Sequence, residues 1–164
     1  MHTAVRVLGV AAVLGRLRYL LSDRNLLTKI ATRGRARSVF IRHVDGGSCN
    51  GCELEIAALF NPIYDAQRFG FHLVASPRHA DVLLVTGPLT RSMEAALLRA
   101  FEAMPEPRCV VTVGDGFGAG SAYADSYAAV PLPEELAMVW RAHVLGDPPS
   151  PQAILNVLLA LSLG

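Results

Sequence analysis

Two thiols three residues apart, Cys49 and Cys52, stand in the segment Gly47-Ser48-Cys49-Asn50-Gly51-Cys52. On a loop that enters a helix, such a pair can grip one metal, because a helix N-terminus favours the thiolate form that ligation needs. The same spacing also serves dithiol redox enzymes and zinc sites, and two structural thiols with no ligand satisfy it equally. The third and last cysteine is Cys109, which opens an apolar run and reads as a buried, inert thiol. An odd count argues against a disulfide scaffold. Three thiols also fall short of a four-thiolate metal site.

Other chemistry is sparse. The loop Val113-Gly114-Asp115-Gly116-Phe117-Gly118-Ala119-Gly120 follows a strand-like run, which leaves a phosphate cradle open. It lacks a Walker lysine, and Ala119 stands at the third site of the dinucleotide fingerprint, so a tight, backbone-exposing turn fits better. His43, His72, His79 and His143 are scattered without metal-ligand spacing, and no Ser/His/Asp set stands out.

The elements that must position these residues alternate in type. Ser38–Val44, Phe71–Ala75, Asp81–Thr86 and Cys109–Val113 read as strands, and Asp81–Thr86 is apolar throughout, as in a strand covered on both faces. Glu53–Phe60 has helical spacing and stops before Asn61-Pro62. Thr90–Met104 and Pro151–Leu163 are helical, the latter with a first-turn proline. Met138–Leu145 fits either type. This alternation predicts an α/β fold with a parallel sheet flanked by helices. Ligands in such sheets bind beyond the carboxyl ends of the strands. The loops Asp45–Cys52, Thr86–Thr90 and Gly114–Gly120 are expected there.

The 164 residues are 52% hydrophobic and only 18% charged, which excludes a disordered chain and suggests a surface partly covered by partners. The formal charge of +1 hides an asymmetry, with +8 up to Val44 and −7 from Asp45 onward. Residues 1–37 form a basic arm, and residues 38–164 the body. Val5–Leu27 is apolar but interrupted by Arg6, Arg16, Arg18 and Asp23, so it is too broken to span a bilayer. A basic amphipathic helix lying on a membrane or partner fits it best, and packing on its own domain is the alternative. The arm lacks the aromatic interleaving of a nucleic-acid platform, so no nucleic-acid partner is expected.

The strings Gly47-Ser-Cys49-Asn-Gly-Cys52-Glu53-Leu-Glu55, Phe60-Asn-Pro62-Ile-Tyr-Asp65, Arg68-Phe-Gly70, Ser76-Pro-Arg-His-Ala-Asp81 and Thr86-Gly-Pro-Leu-Thr90 resemble one family. It is the small iron–sulfur subunit of membrane-bound, energy-converting [NiFe] hydrogenases, including that of formate hydrogenlyase. That subunit is similar in turn to the 20 kDa subunit of respiratory complex I. The resemblance covers about Ser38 to Gly164. The cysteine spacing points to the hydrogenase branch, since the complex I branch usually has adjacent cysteines there.

The resemblance implies a flavodoxin-like fold and a [4Fe–4S] cluster beside a hydrogenase-type large subunit. It also implies a ferredoxin-like subunit and membrane-arm subunits as partners, and a peripheral position on the cytoplasmic side of the cell membrane; the basic arm, residues 1–37, is the expected membrane contact by its own charge and pattern. Of the family's four cluster cysteines, two match Cys49 and Cys52. The other two positions carry Gly116 and Asp147, in Val113-Gly-Asp-Gly116 and Gly146-Asp-Pro-Pro149. Carboxylate oxygen is a harder and poorer ligand for cluster iron than thiolate, and glycine is none. The preferred expectation is therefore a subunit of an oxidoreductase complex with a structural or coupling role, whose cluster site is degenerate or absent. The first alternative is an electron-transfer subunit with a cluster ligated atypically by Cys49, Cys52 and Asp147. A second is a dithiol redox protein using Cys49 and Cys52.

Overall fold

Five short segments, most of them rich in β-branched and aliphatic residues, pair side by side in the computed structural model, which describes residues 38–117 and 121–162. They are β1 (Val39–Asp45), β2 (Phe71–Leu73), β3 (Val82–Thr86), β4 (Cys109–Val113) and β5 (Trp140–Val144). Every pairing is parallel, in the order β2-β1-β3-β4-β5. This is the order of the flavodoxin-like doubly wound sheet. β3 is buried at all five positions, and β4 at all but its first. A central parallel strand has helices over both faces, so neither of its side-chain rows reaches water. The edge strand β2 is three residues long, a length that limits unwanted edge pairing.

The connecting helices are α1 (Gly51–Leu59), α2 (Arg91–Glu102), a single turn α3 (Glu134–Ala137) and α4 (Pro151–Ser162). In α2, Leu97 and Phe101 form one core cluster with Leu83, Val85 and Val110 from the sheet. Leu84 and Val111 alternate with these sheet residues and face the other side. α1 buries Cys52, Ile56 and Leu59, and α4 buries Pro151, Ile154, Leu155 and Leu158, both at helical spacing. Past the end of α2, Arg108 donates from Nη1 to the carbonyls of Phe101 (2.6 Å) and Met104 (3.2 Å). Its guanidinium lies 4.1 Å from the centroid of the Phe101 ring, satisfying carbonyls that a helix end leaves unpaired.

The expected strands and helices that fall within the described residues are present, with small shifts. β2 ends at Leu73 rather than Ala75, shortly before Ser76 caps a 3-10 turn over Pro77–His79. α1 starts at Gly51, two residues early, so that Cys52 lies in its first turn. The ambiguous Met138–Leu145 run contributes a strand, because Trp140–Val144 pairs with β4. The basic arm, including the helix expected over Val5–Leu27, lies outside the described residues, as do Gly118–Gly120 and Leu163. Among the described residues no helix is long and apolar enough to cross a membrane.

Candidate functional site at the switch point

Strand order reverses between β1 and β3, and a crevice at such a point is where doubly wound folds place their ligands. The loops after β1, β3, β4 and β5 meet there, and each neighbouring pair is joined directly. Gly46 N–H donates to the Thr86 carbonyl (2.9 Å), and Thr90 returns both N–H and Oγ1 to the Gly46 carbonyl, each at 2.8 Å. Gly87 N–H donates to Val113 (3.3 Å), and Gly114 N–H to Val144 (3.0 Å). Asp115 Oδ1 accepts from Gly146 N–H at 2.7 Å, which ties the loop after β4 to that after β5.

Cys49 is exposed on the first of these loops, and Cys52 is 1% exposed in the first turn of α1. The Cys52 thiol points at Asp147 of the loop after β5, with Sγ to Oδ1 at 3.9 Å. Burial, and then the negative charges of Asp147 and Glu53, push the Cys52 thiol up to about 12. This corrects the expectation that the helix start lowers both thiols. At Cys52, desolvation and two carboxylates outweigh the helix dipole. Cys109 starts β4 opposite Val82, a strand length from the loops, and burial pushes it up to about 11.

The turn after β4 is a 3-10 turn, Asp115–Phe117, as a tight turn in that loop requires. A Cβ on Gly116 would lie 2.3 Å from Pro88 N and 2.5 Å from the Gly87 carbonyl carbon. A Cβ on Gly114 would lie 3.1 Å from Cys52 Sγ, and its φ of +101° is one that side chains rarely adopt. Of the four sequence-expected positions, Cys52 and Asp147 are brought into contact. Cys49 stands beside them near Gly51, and Gly116 is turned into the Gly87–Pro88 backbone. Among the described residues no three His, Cys, Asp or Glu side chains are arranged to hold a metal ion.

A polar knot beside the thiols had no assigned role in the sequence. Glu53 Oε2 accepts from Ser48 Oγ at 2.5 Å, and Glu53 Oε1 accepts from Thr86 Oγ1. His43 Nε2 lies 3.0 Å from the same Thr86 hydroxyl and 3.7 Å from Glu53 Oε1. Desolvation lowers the His43 pKa, with Glu53 and Asp45 opposing, so the ring is neutral at pH 7. Thr86 is fully buried, and Glu53 is therefore the acceptor through which α1 holds the end of β3. Glu53 follows Cys52 directly, and that adjacency was the only sequence signal.

A parallel doubly wound domain with a C-x-x-C loop at its switch point is the class that fold and site define. Within that class, the chain belongs to the NADH ubiquinone oxidoreductase 20 kDa subunit family, whose model matches residues 49–161. It is 45% identical over 127 residues to "Probable membrane-bound hydrogenase subunit mbhJ" of Pyrococcus furiosus, covering 76% of this chain and 75% of that one. It is 41% identical over 128 residues to formate hydrogenlyase subunit 7 of Escherichia coli, covering 78% of this chain and about half (49%) of the relative. Among solved structures, it is similar to a chain of the archaeal membrane-bound sulfane sulfur reductase, with TM-score 0.64 and 26% identity over 80% of this chain and 73% of that one. A chain of an NAD+-reducing [NiFe]-hydrogenase shares the fold, with TM-score 0.53 and 17% identity over 78% and 93% of the two chains.

Proposed function

We propose that this chain is a peripheral subunit of a membrane-associated complex of the hydrogenase and complex I type. In it the chain has a structural or coupling role, at a position where family members carry a [4Fe–4S] cluster. Its partners are a hydrogenase-type large subunit, a ferredoxin-like subunit and membrane-arm subunits. Residues 1–37 make the membrane contact, on the cytoplasmic side. The relatives from membrane-bound hydrogenase and sulfane sulfur reductase and the basic charge of the arm support this reading.

The observation that carries the structural role is the donor set at the switch point. A [4Fe–4S] cluster takes four thiolates. Here Cys49 and Cys52 supply two thiols, Asp147 a harder oxygen donor, and Gly116 nothing. The residues present do not fit the group, so no electron-relay step is assigned to this chain.

The test is affinity purification of the tagged full chain from membranes of its host. Co-purification of a hydrogenase-type large subunit and membrane-arm proteins is expected, with the same yield from a Cys49→Ser/Cys52→Ser variant. Recovery of the chain alone, or loss of the partners in the variant, would overturn the proposal.

A further inference from the structure

The three loops that a cluster would bridge through iron, those after β1, β4 and β5, are already bridged by protein, with the loop after β3 packed among them. Gly116 is the clearest case. The Gly87–Pro88 peptide occupies the space in front of it, with Pro88 N, Gly87 C and Gly87 O at 2.3, 2.5 and 2.6 Å from any added Cβ. Real Cβ contacts essentially never fall below 3.0 Å, and the obstructing atoms are backbone, which cannot rotate away as a flexible side chain would. That peptide is in turn fixed from both sides. Gly87 N–H donates to the Val113 carbonyl at 3.3 Å, and a Cβ on Gly87 would meet Ser48 N at 2.6 Å. The loop after β3 is thus packed backbone to backbone between the loops after β1 and β4.

The remaining links close the circuit. Asp115 Oδ1 accepts Gly146 N–H at 2.7 Å, Cys52 Sγ–H faces Asp147 Oδ1 at 3.9 Å, and Glu53 gathers the Ser48 and Thr86 hydroxyls. We infer that the switch-point site is a metal-free clasp, in which the Gly87–Pro88 peptide fills the space that a side chain at position 116 would need and direct hydrogen bonds hold the four loops together. The inference rests on the reading that this is the family's cluster position. It adds that the site is not one reverse substitution away from binding iron. Asp147 is exposed, so a cysteine fits there, whereas position 116 is closed to every side chain.

The experiment compares wild type, Gly116→Ala, Gly116→Cys, Asp147→Cys and Gly116→Cys/Asp147→Cys as tagged full chains in their complex. Thermal unfolding and the iron bound after anaerobic treatment with ferrous iron and sulfide are measured for each. Overpacking against backbone should lower the Tm of Gly116→Ala by about 3–10 °C. Asp147→Cys gives up only the long 3.9 Å contact with Cys52 Sγ at an exposed side chain, the weakest of the links, and should stay within about 2 °C of wild type. The double variant should gain no iron over wild type. If Gly116→Cys fails to accumulate, Gly116→Ala still reports the closed position. A Gly116→Ala protein as stable as wild type, or a double variant that takes about four further irons, would overturn the clasp. Either result leaves co-purification of the partners intact, so failure of the clasp is distinguishable from failure of the proposed function.

Discussion

Replacing Glu53 by alanine removes the acceptor that two hydroxyls share. Ser48 Oγ lies 2.5 Å from Oε2, and the fully buried Thr86 donates to Oε1. Hydrogen bonds to a charged group are each worth about 1.5–3 kcal/mol. Ser48 is half-buried and regains water in the variant, and Thr86 keeps His43 Nε2 at 3.0 Å, so both losses are partial. The expected cost of Glu53→Ala is therefore about 2–4 kcal/mol, or about 5–15 °C in Tm for a chain of this size. Glu53→Gln keeps one acceptor oxygen and should cost roughly half as much. Urea unfolding at pH 7 of wild type, Glu53→Ala, Thr86→Val and the double variant gives the coupling directly. A coupling energy of about 1–2 kcal/mol between positions 53 and 86 is expected. Additive effects, or a Glu53→Ala cost under about 0.5 kcal/mol, would refute the view that this carboxylate binds the first loop to the end of β3.

Three further outcomes follow from the same geometry. The His43 pKa is lowered in the fold, so the unfolded chain binds more protons below its ordinary value of 6.5 and stability falls as pH drops through that range. The stability difference between wild type and His43→Gln, measured by urea unfolding from pH 7.5 to about pH 5, should therefore shift against wild type toward the acid end. Iodoacetamide at about pH 8 should modify the exposed Cys49 of the folded chain, while Cys52 and Cys109, raised to about 12 and about 11, react only after unfolding. Peptide mapping of the labelled protein checks this order. Arg108→Met should destabilise by about 1–2 kcal/mol through lost bonds to the Phe101 and Met104 carbonyls, with no effect on co-purification of partners.

Much of the scaffold is legible from local patterns. Cys109–Val113 is a strand at the expected residues, because an apolar β-branched run of that length fits a doubly covered position. The Asn61-Pro62 pair after Phe60 ends its helix for an equally local reason. Met138–Leu145 stays ambiguous by periodicity alone. Only its ladder with β4, a long-range contact, makes Trp140–Val144 a strand. The site divides in the same way. The C-x-x-C loop and its place beyond the strand ends could be read from spacing and topology. The raised Cys52 thiol could not, because Asp147 lies 95 residues away and helix-dipole reasoning sees only α1. Nor could the closed space at Gly116, which depends on where the Gly87–Pro88 peptide runs in three dimensions.

The most direct test is a count of iron and acid-labile sulfide in the purified complex with and without the paired thiols of this chain. If the switch-point site is a metal-free clasp, wild type and Cys49→Ser/Cys52→Ser complexes carry the same iron, all of it attributable to the partner subunits. A loss of about four irons and four sulfides per copy in the variant would place a cluster on Cys49 and Cys52 and contradict the central claim.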